Sequence, residues 1–419
     1  MKITLIAYGT RGDVQPAIAL GKALQARGHR LRLLASPNFK SWIESHGLEA
    51  APAKVDVQAV MNSEGGQEWV EIGNNPLKQL QVMRRLLKKD GLAMIQDAWE
   101  ACQDAEAIVS QFTSVVYAGS LAARRGIPHL CMLLQPALLA TRDGRAMINA
   151  PRPGKSLLNY WMGKIVIERA AWGLYGDITN RFRRETLGLP PLEARRFLEE
   201  FVRLPILMGY SPRVSPRPDD WPDNYCLTGY WYLDEGRDWQ APAELQRFLA
   251  EGEPPVCIGF GSMIGRNVEA TTRIVVEAVT HANERAILIS GWAGLGKVDL
   301  PPAILRIDSA PHDWLLPRVA TLVHHGGAGT TASAFRAGVP QVVVPHMADQ
   351  PFWGRRVAAL GVGPKPIPRP KLSAQMLAAA IQEAASPEMK RRAGILGHQI
   401  REEDGLGIAV KFIQKHLGA

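Results

Sequence analysis

The chain has 419 residues, 21% charged and 46% apolar, which excludes disorder, collagen and coiled coil as overall descriptions and makes two domains the default. Its net charge of +9 lies entirely in residues 1–215, where 28 Lys+Arg face 19 Asp+Glu; residues 216–419 balance at 21 against 21. Four cysteines at least 29 residues apart, with no Cys-x-x-Cys, argue against a zinc ribbon or disulfide scaffold and favour a reducing compartment.

Residues 2–8 are an apolar run with little alternation, the pattern of a buried parallel strand, and too short for a signal peptide. The turn Gly9-Thr10-Arg11-Gly12-Asp13 follows, then a helix from about Pro16 to Arg27 with Gly28 as its stop. Leu31–Ala35 is a second strand, and Ser36-Pro37 reads as an N-cap with proline at the first helical position. Strand Ala107–Gln111, helix Thr113–Arg125 and strand Pro128–Leu134 repeat the unit. Residues 141–200 are less regular, rich in Trp, Tyr and Arg, and read as helices inserted into the first domain. Ser211–Glu235, with four prolines and Asp219-Asp220, has the composition of a stiff polar linker.

The second half alternates again. Val256–Phe260, Ala286–Ile289, Leu305–Ile307, Thr321–His324 and Gln341–Val344 read as strands. Helices at Val268–Asn283, Thr330–Ala337 and Phe352–Leu360 fall between or after them, and Met389–Arg401 and Ile408–Leu417 close the chain as helices. Alternating strand and helix implies parallel sheets covered on both faces. The expected class is α/β with two Rossmann-like doubly wound domains: an N-terminal one over 1–215, a linker over 216–242, a C-terminal one over 243–400, and a terminal helix over 401–419 that returns to the N-terminal domain. No apolar run is long enough to span a membrane as a helix, so a soluble cytoplasmic protein is expected.

Four constellations could carry chemistry. His324-His325-Gly326-Gly327-Ala328-Gly329-Thr330-Thr331 follows a strand and opens a helix. Its glycines admit a ligand to the backbone, and free amides, helix dipole, Thr hydroxyls and His325 suit an anion such as a diphosphate. A capped helix after a tight turn is the plainer reading. Gly259-Phe260-Gly261-Ser262-Met263 could place Ser262 beside a phosphate. Neither this turn nor the first one has Gly-x-Gly-x-x-Gly spacing, and no P-loop occurs. Pro345-His346-Met347-Ala348-Asp349-Gln350 brings carboxylate and carboxamide to a strand's C-terminal end, suited to sugar hydroxyls, or a simple helix cap by Asp349. Asp13 at a helix start is either an N-cap or a base; its position would lower its pKa and an apolar acceptor over it would raise it.

Together these residues resemble the UDP-dependent glycosyltransferases of GT-B fold (glycosyltransferase family 1), in the branch of sterol glucosyltransferases, glycopeptide-antibiotic glycosyltransferases and rhamnosyltransferases. The match is carried by GTRGDVQP, Gly9 to Pro16, and by the block APHDWLLPRVATLVHHGGAGTTASAFRAGVPQVVVPHMADQPFWGRRVAALG, Ala310 to Gly361. The resemblance implies two domains facing a central cleft, with donor bound by the C-terminal domain and acceptor mainly by the N-terminal one. It assigns Gly12, Ser262, His325, Gly327, Gly329 and Thr330 to the nucleotide diphosphate and Asp349 and Gln350 to the donor sugar. Trp292 is a candidate platform for the base or a buried structural tryptophan. Asp13 occupies the position of the catalytic histidine of plant and animal members. Ser309-Ala310-Pro311-His312 replaces the plant-type Trp-x-Pro-Gln, and Ser333 replaces the ribose-binding glutamate, so UDP against TDP stays open.

The implied reaction is inverting displacement at the anomeric carbon, moving a sugar such as glucose from a UDP-sugar to a hydroxyl of a lipophilic acceptor: a sterol, isoprenoid, polyphenol or hydroxy-lipid. A TDP-deoxysugar transferase, a sugar-nucleotide epimerase and a non-catalytic nucleotide-sugar-binding protein are the alternatives. No Asp-x-Asp occurs, so a metal-independent enzyme is expected, with no metal site and no cofactor beyond the co-substrate. Met83, Leu87 and His346 are candidates for the acceptor pocket, with core packing as the plainer role for the first two. The cluster Arg84, Arg85, Lys88 and Lys89 is a solvated helix face or a contact for anionic lipid on the inner face of a membrane. No nucleic-acid module is present in the pattern, so no nucleic-acid partner is expected.

Overall fold

The computed structural model describes residues 1–72, 76–136, 139–148, 150–261, 268–291 and 299–418. The chain divides into two units, the first holding residues 1–69, 75–233 and 404–419, the second 70–74 and 234–403. Twelve strands are described: β1 Lys2–Ile6, β2 Arg30–Leu34, β3 Glu49–Ala50, β4 Ala107–Gln111, β5 His129–Leu133, β6 Ile206–Met208, β7 Tyr225–Leu227, β8 Val256–Gly259, β9 Ala286–Ile289, β10 Ile304–Ile307, β11 Thr321–His324 and β12 Gln341–Val343. The helices that matter below are α1 Arg11–Gln25, α2 Pro76–Ala101, α3 Val115–Arg125, α4 Glu168–Phe182, α5 Val268–Ala282, α6 Ala328–Ala337, α7 Gln350–Ala359, α8 Ala374–Ala384, α9 Pro387–Arg401 and α10 Gly405–Leu417.

The first sheet has the order β3-β2-β1-β4-β5-β6-β7 and the second β10-β9-β8-β11-β12, every pairing parallel. β4 and β11 are buried along their whole length, as the apolar runs imply for strands covered on both faces. In each sheet the chain winds first to one side and then to the other. The direction reverses between β1 and β4 in the first sheet and between β8 and β11 in the second. Open α/β sheets bind ligands beyond the carboxyl ends of the strands flanking such a reversal. The turn holding Asp13 follows β1, and the loops Gly259–Gly261 and His324–Gly327 follow β8 and β11.

One core of the first unit joins β1, β2, α1 and α10: Ile3, Leu5, Ile18 and Leu20 pack with Ala409, Val410 and Ile413. In the second, Ile258, Leu288 and Val323 pack with Val275 and Val279 of α5 and Leu377 and Ile381 of α8.

Several local expectations change. The first helix starts at Arg11 rather than near Pro16, because Thr10 makes a capping box with Asp13 and proline is accommodated in the second turn. Ser36 does not cap its own helix; its hydroxyl accepts from the Val57 amide at 3.0 Å. The stretch expected as linker carries β7 and lies in the first unit as far as Leu233. There the Arg217 guanidinium takes the carbonyls of Trp221 and Pro222 at 3.0 and 2.8 Å, and Asn224 takes that of Leu204 at 2.8 Å. Those bonds give the carbonyls of Trp221 and Pro222 partners within the protein, and Trp221 is buried.

Candidate functional site

At the first reversal, Asp13 is not an N-cap but the third residue of α1. Its Oδ2 accepts from the Thr10 amide at 2.8 Å and the Thr10 hydroxyl at 3.2 Å. Gly9 is what lets the carboxylate lie there, since a Cβ on Gly9 would collide with it. Across the reversal, Gln111 at the end of β4 donates from Nε2 to the Asp13 carbonyl at 2.8 Å, tying the two strand ends together. The Asp13 pKa is raised: burial of its carboxyl group outweighs the two Thr10 bonds that act to lower it. Asp13 is half-buried, and desolvation, the largest of these effects, runs against the expectation that a helix start leaves this group acidic. Gly12 is exposed in the same turn, and a Cβ there would meet nothing closer than Thr10 Oγ1 at 3.7 Å.

At the second reversal two histidines divide the work. His324 is fully buried; its Nδ1 accepts from the Gly326 amide at 3.1 Å and its Nε2 pairs with Gln341 Oε1 at 3.0 Å. That pairing defines a neutral imidazole with its proton on Nε2, and burial, aided by His325, pushes its pKa down to about 3. His324 thus holds the shape of the loop. His325 is half-buried, and burial together with His312 lowers its pKa to about 4, so it too is neutral near pH 7 and offers one N–H.

The His325 ring lies between two glycines. A Cβ on Gly261 would stand 3.2 Å from its Cε1, and one on Gly327 2.5 Å from its Nε2. Gly326 has φ +88°, and a Cβ there would stand 2.7 Å from Val343 Cγ1. Gly327 caps α6 with no side chain, and the first amide bonded within the helix is that of Thr331. The amides of Ala328, Gly329 and Thr330 therefore have no helical partner and converge at the positive end of the helix. Thr330 is half-buried, and its hydroxyl has no hydrogen bond among the described residues.

After β12 the chain passes through Ala348 at φ +54°, a left-handed conformation that is strained for a side-chain-bearing residue. That turn delivers Asp349 to the start of α7. Trp353, one helical turn on, donates from its indole to Asp349 Oδ2 at 2.7 Å. Gln350 is buried, and its Oε1 accepts from the amides of His346 and Met347 at 2.8 and 3.1 Å, so only its amide nitrogen is left to meet a ligand.

The second unit thus brings together His325, Gly327, Gly329, Thr330, Asp349 and Gln350 on the loops and helix starts that follow neighbouring β11 and β12. Ser262 and Trp292 lie outside the described residues. The acceptor candidates are not gathered in one unit. Met83 and Leu87 are on α2 of the first, Leu87 buried beside Gly91 where α2 meets α4. His346 is in the second, buried with its ring 5.6 Å from that of Phe260. Sequence reading missed Gln111, Thr10, His324 with Gln341, and Trp353. Two spacings were there to be noticed: the capping-box pattern Thr10-x-x-Asp13 and the four-residue step from Asp349 to Trp353.

Residues 3–122 match the glycosyltransferase family 28 N-terminal domain, and residues 273–403 match the C-terminal domain of erythromycin biosynthesis protein CIII-like proteins. The whole chain aligns with a sterol 3-beta-glucosyltransferase of Arabidopsis thaliana at 32% identity, covering 68% of that protein. A sterol 3-beta-glucosyltransferase of Neurospora crassa is 36% identical over the whole chain, which spans only 27% of that relative's length. Among solved structures, the kitacinnamycin glycotransferase superposes with a TM-score of 0.71 at 20% identity, covering 99% of this chain and 98% of that one. The glycosyltransferase VinC, solved in complex with DTDP, gives 0.68 at 19%, with full coverage of both chains. These likenesses establish the expected fold class.

Proposed function

The chain belongs to the family of the sterol 3-beta-glucosyltransferases, and on that premise we propose that it transfers a sugar, glucose first among the candidates, from a UDP-sugar to a hydroxyl of a lipophilic acceptor such as a sterol. The observation that carries this reading is the second sheet reversal, where unpartnered helix amides and a neutral imidazole meet over three glycines. Such a site binds a diphosphate without a counter-charge of its own. It also stabilises the charge that develops on the diphosphate as the glycosidic bond breaks.

In this reading Asp13 supplies the other half of the chemistry. A carboxylate made more basic by burial takes the acceptor's hydroxyl proton as its oxygen attacks the anomeric carbon, and the configuration there inverts. The sugar is held by Asp349, whose Oδ2 is oriented by Trp353, and by the amide nitrogen of Gln350. Helix amides and His325 take the place that a divalent cation fills elsewhere, so turnover is expected to survive a chelator. Contact with the inner leaflet through the basic first unit belongs to the same reading; no helix among the described residues is long and apolar enough to cross a membrane.

The test is a screen of the chain with UDP-glucose, and in parallel a TDP-sugar, against a sterol, a hydroxylated isoprenoid, a polyphenol and a hydroxy-lipid, read by mass spectrometry. A hexose-bearing product from UDP-glucose supports the reading. Products from the TDP-sugar alone would move the donor assignment. Tight UDP binding with no product from any acceptor would make this a binding protein.

A further inference from the structure

Ten large apolar side chains are exposed among the described residues, and five of them fall within nine positions: Leu157, Leu158, Trp161, Met162 and Ile165. Their spacing of 1, 3, 1 and 3 places them on one face of the helix Leu157–Met162 and the wider turn Gly163–Ile167 that continues it. Leu157 is 62% exposed and Trp161 54%, too much for the rim of a core. Monomeric soluble proteins rarely gather apolar surface in this way without a partner for it.

The face is held out rigidly. Asn159, fully buried on the opposite side, donates to the carbonyls of Arg142, Arg152 and Gly154 at 2.9, 3.0 and 2.8 Å and accepts from the Arg152 amide at 3.0 Å. The Ser156 hydroxyl caps the helix through the Leu158 amide. Gly163 lies so close to Ala140 that a Cβ would stand 3.0 Å from its Cα. The exposure of the leucines and the tryptophan is thus built into the fold.

Charge decides between occupants. Residues 142–165 contain Arg142, Arg145, Arg152, Lys155 and Lys164 against one acid, Asp143; Arg145 pairs with Asp143 and Lys155 with Asp219, and Asp220 accepts from the Arg142 amide, while Lys164 on the apolar face has no ion pair among the described residues. Lys164 lies 6.0 Å from the centre of the Trp161 ring. Lysine is depleted at protein–protein interfaces, whereas tryptophan flanked by cations is the composition of a side chain seated at a lipid headgroup layer. We propose that Leu157, Leu158, Trp161, Met162 and Ile165 form a docking face that seats the first unit on an anionic bilayer, with Lys164 at the headgroups. This surface is distinct from the Arg84–Lys89 cluster on α2. It would bring the enzyme to lipophilic acceptors where they dissolve, which deepens the transfer reading without depending on it.

The test is co-sedimentation of the chain with phosphatidylcholine vesicles with and without phosphatidylglycerol. Binding should favour the anionic vesicles and fall at least tenfold in the pair Leu158→Asp and Trp161→Asp. Lys164→Gln should lose roughly fivefold and bind with a shallower salt dependence. Trp161→Phe should keep binding, and circular dichroism should show each variant folded, as expected for exposed positions. Because no substrate is present, failure here leaves the transfer reading standing, and the aspartate pair should glycosylate a water-soluble alcohol as the unsubstituted chain does. The proposal is overturned if the unsubstituted chain ignores both vesicles or binds them equally, or if the aspartate pair binds undiminished. It is overturned too if the chain is a dimer that the aspartate pair dissolves, which would make a second copy the occupant.

Discussion

The two sheet reversals share a topology and differ in chemistry. Each is flanked by the first strand of its unit and the strand that begins the return, β1 with β4 and β8 with β11. At the first, the turn presents a carboxylate whose proton affinity is increased by burial. At the second, the turns present helix amides, glycines and an imidazole whose proton affinity is reduced by burial. Desolvation acts in both places and favours the neutral form in both, but for an acid that means a stronger base and for a histidine a permanent neutral donor. The fold sets where a ligand can sit; the residues in the turn set what it can be.

Removing the base should break the comparison most sharply. Asp13→Asn is expected to lower turnover of an aliphatic alcohol by about 10²–10⁴-fold, the usual worth of general base catalysis. Stability should hold or rise slightly. Where a folded carboxyl pKa is raised, the folded state binds more protons than the unfolded state between the two pKa values, so stability falls as pH rises through that window. Asparagine removes that cost, and its Oδ1 can still accept from the Thr10 amide. The acid limb of the rate profile should vanish in this variant. Near-normal turnover would take Asp13 out of the base role.

At the second reversal, His325→Ala with Thr330→Ala should weaken UDP binding, each bond to a charged phosphate costing roughly 1.5–3 kcal/mol, measured by calorimetry. Affinity for UDP-glucose in the parent chain should stay level as pH falls from about 8 to about 5, because His325 with its pKa of about 4 does not charge in that range. A rise in affinity near pH 6 would mean that His325 acts as a cation.

Two smaller effects separate loop shape from contact. Gly326→Ala forces a Cβ against Val343 and Gln350 and should destabilise the second unit by about 1–3 kcal/mol in urea unfolding, with UDP affinity falling in step. Trp353→Phe removes the indole bond to Asp349 and keeps an aromatic ring in place. It should raise the KM for the sugar donor several-fold while leaving the affinity for UDP unchanged. An equal loss for UDP would show that Trp353 supports the loop as a whole.

Local sequence was enough for whatever depends on short range. Strands Ala107–Gln111, Ala286–Ile289 and Thr321–His324 agree residue for residue with their apolar runs, because a parallel strand covered on both faces needs little more than such a run between turns. The glycine loop after His324 was legible for the same reason: close approach of a ligand or a ring leaves no room for a Cβ wherever the rest of the chain goes. What depends on partners far along the chain was not legible. β7 sits in a proline-rich stretch and is a strand because it pairs with β6, while Arg217 donates to the Tyr225 carbonyl. Gln350 reads as a ligand-binding carboxamide until its oxygen is found turned back on the amides of His346 and Met347. The sign of the Asp13 shift is the clearest case. Position at a helix start is written in the sequence and lowers a carboxyl pKa, but burial is a property of everything packed around the group, and in this turn burial is the larger effect.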